Sequence, residues 1–202
     1  METGQYDAVP GILNKKYLLW AALALPLAWM IRGWQAETLF YGELLHLTGE
    51  FSTWLLMLTL AVTPLRLAFP GGGWPGWLLR QRRYLGLAAF GYALLHAIVY
   101  VDRKRDPGLI VQEGVEPAML AGWIAFLIFA LLAATSNDAA VRRLRRAWKT
   151  LHRGVYVAAL LVFAHWIFTA FDPVPGIVHF AILLGLELYR VARRRRPGAN
   201  EE

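Results

Sequence analysis

The sequence contains no cysteine among its 202 residues. This absence excludes disulfides, thiolate zinc sites, iron–sulfur clusters and the C-x-x-C-H attachment of c-type haem. Charged residues make up only 17% of the chain, and they lie between long apolar runs instead of alternating along amphipathic faces. No G-x-x-x-x-G-K-[ST] loop and no G-x-S-x-G elbow occurs. Any metal must therefore be held by histidine, by carboxylates or within a cofactor.

Apolar residues, in contrast, make up 57% of the chain. A bilayer core needs roughly 20 mostly apolar residues per helix, and such stretches lie near 17–34, 47–66, 84–101, 117–135, 151–170 and 177–192. We therefore predict an all-α integral membrane protein that forms a six-transmembrane-helix bundle over residues 17–192. Residues 1–16 and 193–202 are then a cytoplasmic N-terminal segment and a cytoplasmic tail. No small-residue cleavage site follows the first apolar run, so we expect that span to be retained.

The net charge of +7 has a topological explanation, because no recognisable nucleic-acid module accompanies it. Basic residues accumulate in cytoplasmic loops. One side of the predicted bundle holds most of them: Lys15, Lys16, Arg66, Arg80, Arg82, Arg83, Arg142, Arg143, Arg145, Arg146, Lys149, Arg153, Arg190 and Arg193 to Arg196. The other side holds Arg32, Arg103, Lys104 and Arg105. This bias predicts that both termini are cytoplasmic.

Two histidines fall at similar depth inside the predicted spans. His96 lies 12 residues after Tyr84 and His165 lies 14 residues after Leu151, or roughly 18 and 21 Å from the cytoplasmic ends of their helices. A polar side chain in hydrocarbon is costly unless it has a partner. Two imidazoles at one level favour axial ligation of a shared haem. The alternative is a pair of histidines that hydrogen-bond across helices without metal.

The cytoplasmic half of the bundle is less regular. His152 lies 13 residues before His165, about 20 Å along an ideal helix and about 140° around it. Arg82 lies 14 residues before His96, within about 40° of the same face, where it suits a haem propionate, a flavin phosphate, an inner haem or a simple interfacial anchor. Glu187 is a candidate for a quinone or flavin site. His46, His179 and Glu50 lie near the outer helix ends, where interfacial roles are more common.

Four segments resemble one known family across nearly the whole chain. They are HLTGEFSTWLLMLTLAVTPLR at 46–66, RRYLGLAAFGYALLH at 82–96, TS at 135–136 and WKTLHRGVYVAALLVFAH at 148–165. They resemble the haem-binding membrane subunits of periplasmic methionine-sulfoxide reductase systems, the MsrQ (YedZ) family, and the wider ferric-reductase-like transmembrane superfamily.

The resemblance implies that His96 and His165 bind the iron of haem b, that His152 is a third ligand, and that Arg82 lies near an inner site. It also implies one or two haems and FMN as cofactors, and an electron supply from the quinone pool or a cytoplasmic flavin reductase. The chain is then a multi-pass protein of the bacterial inner membrane that passes electrons to the periplasmic molybdopterin subunit MsrP and reduces no sulfoxide itself. Two-haem members of the superfamily carry two histidines on each ligand helix, whereas the third span here has one.

Two other functions are compatible with the residues. The first is a stand-alone b-type cytochrome that acts as a ferric or quinone reductase, which co-purification of a periplasmic molybdoenzyme would exclude. The second is a six-helix transporter or membrane scaffold. Transporters often show duplicated halves with helices interrupted at the midplane, and the sequence shows neither feature.

Overall fold

The computed structural model describes the backbone of residues 10–195 and the side chains of residues 17–195. Residues 1–9 of the predicted N-terminal segment and residues 196–202 of the predicted tail lie outside this range. The described residues form helices and no strand, with these bounds: α1 Pro10–Gln35, α2 Tyr41–Ala68, α3 Gly73–Lys104, α4 Pro107–Gly114, α5 Pro117–Ala134, α6 Asp138–Leu144, α7 Arg146–His152, α8 Gly154–Thr169 and α9 Val174–Arg194.

Six helical segments in this range are long and apolar enough to cross a membrane. Their bounds are Tyr17–Gln35, Tyr41–Ala68, Gly73–Lys104, Pro117–Ala134, Arg146–Thr169 and Val174–Arg194. The prediction of an all-α, multi-pass membrane protein with six spans is therefore confirmed.

Several breaker-rich segments begin helices instead of separating them. Asp106 caps α4 by accepting a hydrogen bond from the Gly108 N–H at 2.8 Å, and Asn137 caps α6 in the same way at 2.8 Å from the Ala140 N–H. Proline is tolerated in a first turn, so α3 begins at Gly73, well before the apolar stretch near residue 84. Apolar runs mark where a helix crosses hydrocarbon, whereas the helix itself extends beyond them.

The chain divides into two compact units, Met1–Phe40 and Tyr41–Glu202. In the first unit, α1 ends in a tight turn in which the Gly33 carbonyl accepts hydrogen bonds from the Thr38 and Leu39 N–H groups at 3.0 and 3.3 Å. Glu37 lies in the left-handed region of backbone space, with φ 54°. A side chain at Gly33 would meet the Leu39 side chain at 2.6 Å, so a larger residue at this position would require Leu39 to shift.

The second unit holds the other five spans around one apolar core. The core consists of side chains from α2, α5, α8 and α9: Leu56, Leu60, Phe129, Ala158, Ala159, Phe163 and Leu183. Buried hydroxyls on α2 bond to backbone carbonyls of their own helix, Thr48 to Leu44 at 2.8 Å and Thr59 to Leu55 at 2.7 Å. Such local pairing satisfies polar groups where no water is available.

The fifth span is interrupted at a single residue. α7 ends at His152 and α8 begins at Gly154, and the Arg153 N–H bonds to the Lys149 and Thr150 carbonyls, both at 3.2 Å. Arg153 itself keeps a right-handed helical conformation, with φ −68° and ψ −18°. His152 and His165 line separate cavities.

The charge bias predicts the orientation of the spans, and the cysteine-free sequence makes this testable. Gly71→Cys lies in the turn between α2 and α3, and Glu116→Cys lies just before α5, at the other end of α3. We expect a membrane-impermeant maleimide to label Glu116→Cys in intact spheroplasts and to label Gly71→Cys only after the membrane is permeabilised. The unsubstituted chain is the blank, since it has no thiol. The opposite labelling pattern would show that the termini are not cytoplasmic.

Candidate functional site

His96 on α3 and His165 on α8 face each other inside the second unit. Their ring centroids are 6.3 Å apart, and their planes are inclined at 87°. An imidazole nitrogen binds a metal at about 2.0 Å, which puts each ring centroid about 3 Å away, so two rings on opposite sides of one metal have centroids about 6 Å apart. The observed spacing therefore fits two axial ligands of one metal centre.

Hydrogen bonds fix which nitrogen of each ring is available. Nδ1 of His96 lies 2.9 Å from the Leu45 carbonyl, and Nδ1 of His165 lies 2.9 Å from the Ala118 carbonyl. A carbonyl only accepts, so each Nδ1 carries the hydrogen and each Nε2 keeps its lone pair. A backbone carbonyl on the second nitrogen is the usual way in which a protein orients a metal-binding histidine.

Two glycines make room for these rings. A side chain at Gly49 on α2 would meet the His96 ring at 3.1 Å, and one at Gly122 on α5 would meet the His165 ring at 2.8 Å. Each imidazole therefore lies directly against the backbone of a neighbouring helix. Neither glycine stands out in the sequence, because a helix–helix approach leaves no local sequence pattern.

The two histidines line a cavity of about 560 Å³, which we call the two-histidine cavity. This volume is in the range of small-molecule and cofactor sites. Much of the remaining wall is apolar or aromatic: Leu45, Ala93, Ala97, Met119, Trp123, Ala125, Phe126, Phe129, Val162, Trp166 and Phe171. The described residues contain no group of three or more acidic or histidine side chains that would hold a bare metal ion. The donor set instead suits a flat metal macrocycle that brings its own in-plane ligands.

The end of this cavity near α4 carries a polar cluster of Tyr100, Lys104 and Glu113, which the sequence analysis did not single out. The Tyr100 hydroxyl donates to Oε2 of Glu113 at 2.7 Å, and the Lys104 ammonium donates to Oε1. Glu113 lies on α4, outside the spans, and the Lys104 and Tyr100 hydrogen bonds hold the pKa of its carboxyl below the usual value. Glu113 is therefore a carboxylate that is bound on both oxygens.

Arg82 and His152 line a second cavity, of about 370 Å³, which we call the basic cavity. Arg83, Lys149 and Arg153 line it as well. The charge of this wall suits an anionic group such as a phosphate or a propionate. The structure thus brings Arg82 and His152 to one cavity, and no other histidine of the described chain lines it.

His152 is held differently from the other two candidate ligands. Its Nε2 lies 3.1 Å from the Thr135 hydroxyl, which itself donates to the Leu131 carbonyl at 2.8 Å. Nε2 is therefore the donor in this contact. The ring also stacks on Trp148 with centroids 4.0 Å apart. His152 would have to release Thr135 before its Nε2 could bind a metal.

The remaining polar side chains singled out from the sequence lie outside this arrangement or at its edge. His46, whose side chain is 59% exposed, lies 3.5 Å from Glu50. His179 accepts a hydrogen bond from the Trp54 indole at 3.2 Å. Glu187 pairs with Arg190 at 2.6 Å. Each therefore has a local partner that accounts for its position.

Residues 48–163 match the family described as the ferric reductase like transmembrane component. No solved structure matches the chain.

Curated relatives carry the name protein-methionine-sulfoxide reductase heme-binding subunit MsrQ. The Bordetella pertussis protein is 41% identical over 158 residues, which cover 75% of this chain and 74% of the relative. The Ralstonia nicotianae protein is 42% identical and covers 75% and 73%. The Azospira oryzae protein is 36% identical over 193 residues and covers 90% and 80%.

The contact between Gly122 and His165 predicts a local effect on stability. In Gly122→Ala the added methyl meets Nδ1 at 2.8 Å, so we expect the free energy of unfolding to fall by about 1–3 kcal/mol. Gly91→Ala on α3 is the matched control, because nothing lies within 4 Å of its new methyl, and we expect a gain of about 0.5–1 kcal/mol from the helix preference of alanine over glycine. Denaturation of both proteins in detergent micelles measures the difference. Equal stabilities would contradict the close approach of ring and backbone.

Proposed function

The chain belongs to the MsrQ family of ferric-reductase-like transmembrane proteins, and on that premise we propose that it binds haem b and carries single electrons across the bilayer. Electrons enter from the quinone pool or a cytoplasmic flavin reductase, and FMN is the second cofactor. They leave to a periplasmic molybdopterin methionine-sulfoxide reductase, MsrP, with which the chain forms a heterodimer. The protein lies in the bacterial inner membrane with both termini in the cytoplasm, and it supports the repair of oxidised periplasmic proteins without reducing the sulfoxide itself.

One observation supports this proposal above the others: the two buried imidazoles at 6.3 Å, each of which donates Nδ1–H to a carbonyl. When bound, haem supplies an iron that accepts and releases one electron at a time. His96 and His165 are the residues that would hold this iron. Leu45 and Ala118 keep the two rings in the tautomer that has a free Nε2.

The residues that surround the two-histidine cavity contribute to haem binding in two further ways. The apolar and aromatic side chains cover the macrocycle faces and exclude water, which stabilises a non-covalent cofactor by burial. Gly49 and Gly122 let the rings approach from opposite helices. A metal-free packing role for the histidines would explain neither the free Nε2 atoms nor a cavity of about 560 Å³ between the helices.

The basic cavity is the candidate site for the second cofactor. Arg82 and its basic neighbours would bind the phosphate of FMN or the propionates of a second haem. His152 lies in the same wall, and its contact with Thr135 disfavours ligation of iron through Nε2. If FMN occupies the basic cavity, the two cavities hold different cofactors. If a second haem occupies it, the two haems are held by different kinds of side chain.

The ligand assignment predicts the spectrum of the purified protein. We expect dithionite-reduced protein to show low-spin haem b, and we expect His96→Ala and His165→Ala each to lose that spectrum, because one axial nitrogen is removed. His46→Ala is the control, since it removes an exposed imidazole at the edge of the same cavity. A wild-type protein without a Soret band after haem is supplied would refute haem binding. Full low-spin haem in either alanine variant would refute the ligand assignment.

The basic cavity predicts that a second cofactor binds independently of the haem between His96 and His165. Loss of a charged hydrogen bond costs about 1.5–3 kcal/mol, so we expect Arg82→Gln to weaken the second cofactor by about tenfold or more. The haem between His96 and His165 should remain. Acid-extracted flavin and haem content per protein measure both quantities, and Arg142→Gln, a basic residue of α6 outside the cavity wall, is the control. Wild-type protein with one haem and no flavin would contradict this assignment.

A further inference from the structure

Lys104 is the one lysine or arginine among the described residues that line the two-histidine cavity. Two carboxylates, Glu50 and Glu113, line the same cavity. The cavity therefore offers a single fixed cation to any ligand that brings carboxylates of its own.

The position of Lys104 suits such a ligand. It is the last residue of α3, eight residues after His96, which corresponds to about 12 Å along the helix and about 80° around it. Tyr100 lies between them, one turn beyond His96 and within about 40° of its direction. The Lys104 side chain is 29% exposed and lines the cavity.

The Lys104 ammonium has more hydrogen-bond donors than Glu113 uses. An ammonium has three hydrogens, and Glu113 accepts from it through one oxygen while the other oxygen accepts from Tyr100. Glu113 thus holds the ammonium at the cavity wall without using all of its donors. A second carboxylate can bind the same nitrogen.

From this geometry, and resting on the proposed haem binding, we propose that Lys104 binds a carboxylate of the porphyrin. Haem b is an apolar disc with two propionates on one edge, and the cavity is largely apolar with one cation at one end. The pair of Lys104 and Glu113 thereby fixes the rotation of the disc about the axis through the two histidines. It also sets the local charge that the reduced iron experiences, because a nearby cation stabilises the added electron and a nearby carboxylate destabilises it.

Two substitutions with opposite charge effects test this role. Lys104→Gln should lower the midpoint potential of the haem, and Glu113→Gln should raise it, each by about a tenfold change in the reduction equilibrium constant, or about 59 mV for one electron. Lys104→Arg should keep the wild-type value. Arg103→Gln is the matched control: Arg103 is the neighbouring cation, lies 5.6 Å from the Tyr41 ring and does not line the cavity. Redox titration of the purified wild type and the four variants gives the five potentials.

Haem occupancy gives a second measurement for a variant that binds haem poorly. A lower haem content in Lys104→Gln supports the proposal if Lys104→Arg restores the haem content and Arg103→Gln leaves it unchanged. Unchanged potentials, shifts of the same sign in Lys104→Gln and Glu113→Gln, or a loss of haem that arginine does not restore would overturn it. A wild-type protein that binds no haem would instead refute the proposed function, so the two failures are distinguishable.

Discussion

Every polar group in the bilayer core must find its partner within the protein, and this constraint shapes the two-histidine cavity. A buried imidazole has two nitrogens to satisfy. In His96 and His165 a carbonyl from a neighbouring helix takes the hydrogen of Nδ1, which leaves Nε2 as a free acceptor inside an apolar space. The same bonds that satisfy Nδ1 therefore leave Nε2 of each ring available inside the two-histidine cavity.

Close helix packing follows from that arrangement. Each ring donates to the carbonyl of a different helix, so α3 must lie close to α2, and α8 close to α5. Gly49 and Gly122 make the approach possible, because any larger residue would meet the ring within about 3 Å. In membranes, where apolar surface drives helix association only weakly, small residues at interfaces are a common route to tight packing. Here the small residues also determine how closely the two imidazoles approach the neighbouring backbones.

The spans and the depths of the two histidines could be predicted from the sequence, because they depend on the length of the apolar runs and on the helical rise per residue. Apolar runs gave the six spans, and the rise per residue placed His96 and His165 at one depth. Features that depend on contacts between helices could not be predicted: the glycines against the rings, the choice of Nδ1 as donor, and the cluster of Lys104, Glu113 and Tyr100. The break at Arg153 was also hidden, since a single residue between two helical segments leaves the hydrophobic pattern intact.

The two cavities share one described side chain, Phe129 on α5, and this sharing links their chemistry. Phe129 is seven residues after Gly122, two turns along the same face of α5, and only 6% of its surface is exposed. One helix therefore supports the His165 ring and separates the apolar site from the basic one. The one side chain that borders both cavities is thus a buried aromatic ring, which places the apolar cavity and the basic cavity next to each other along α5.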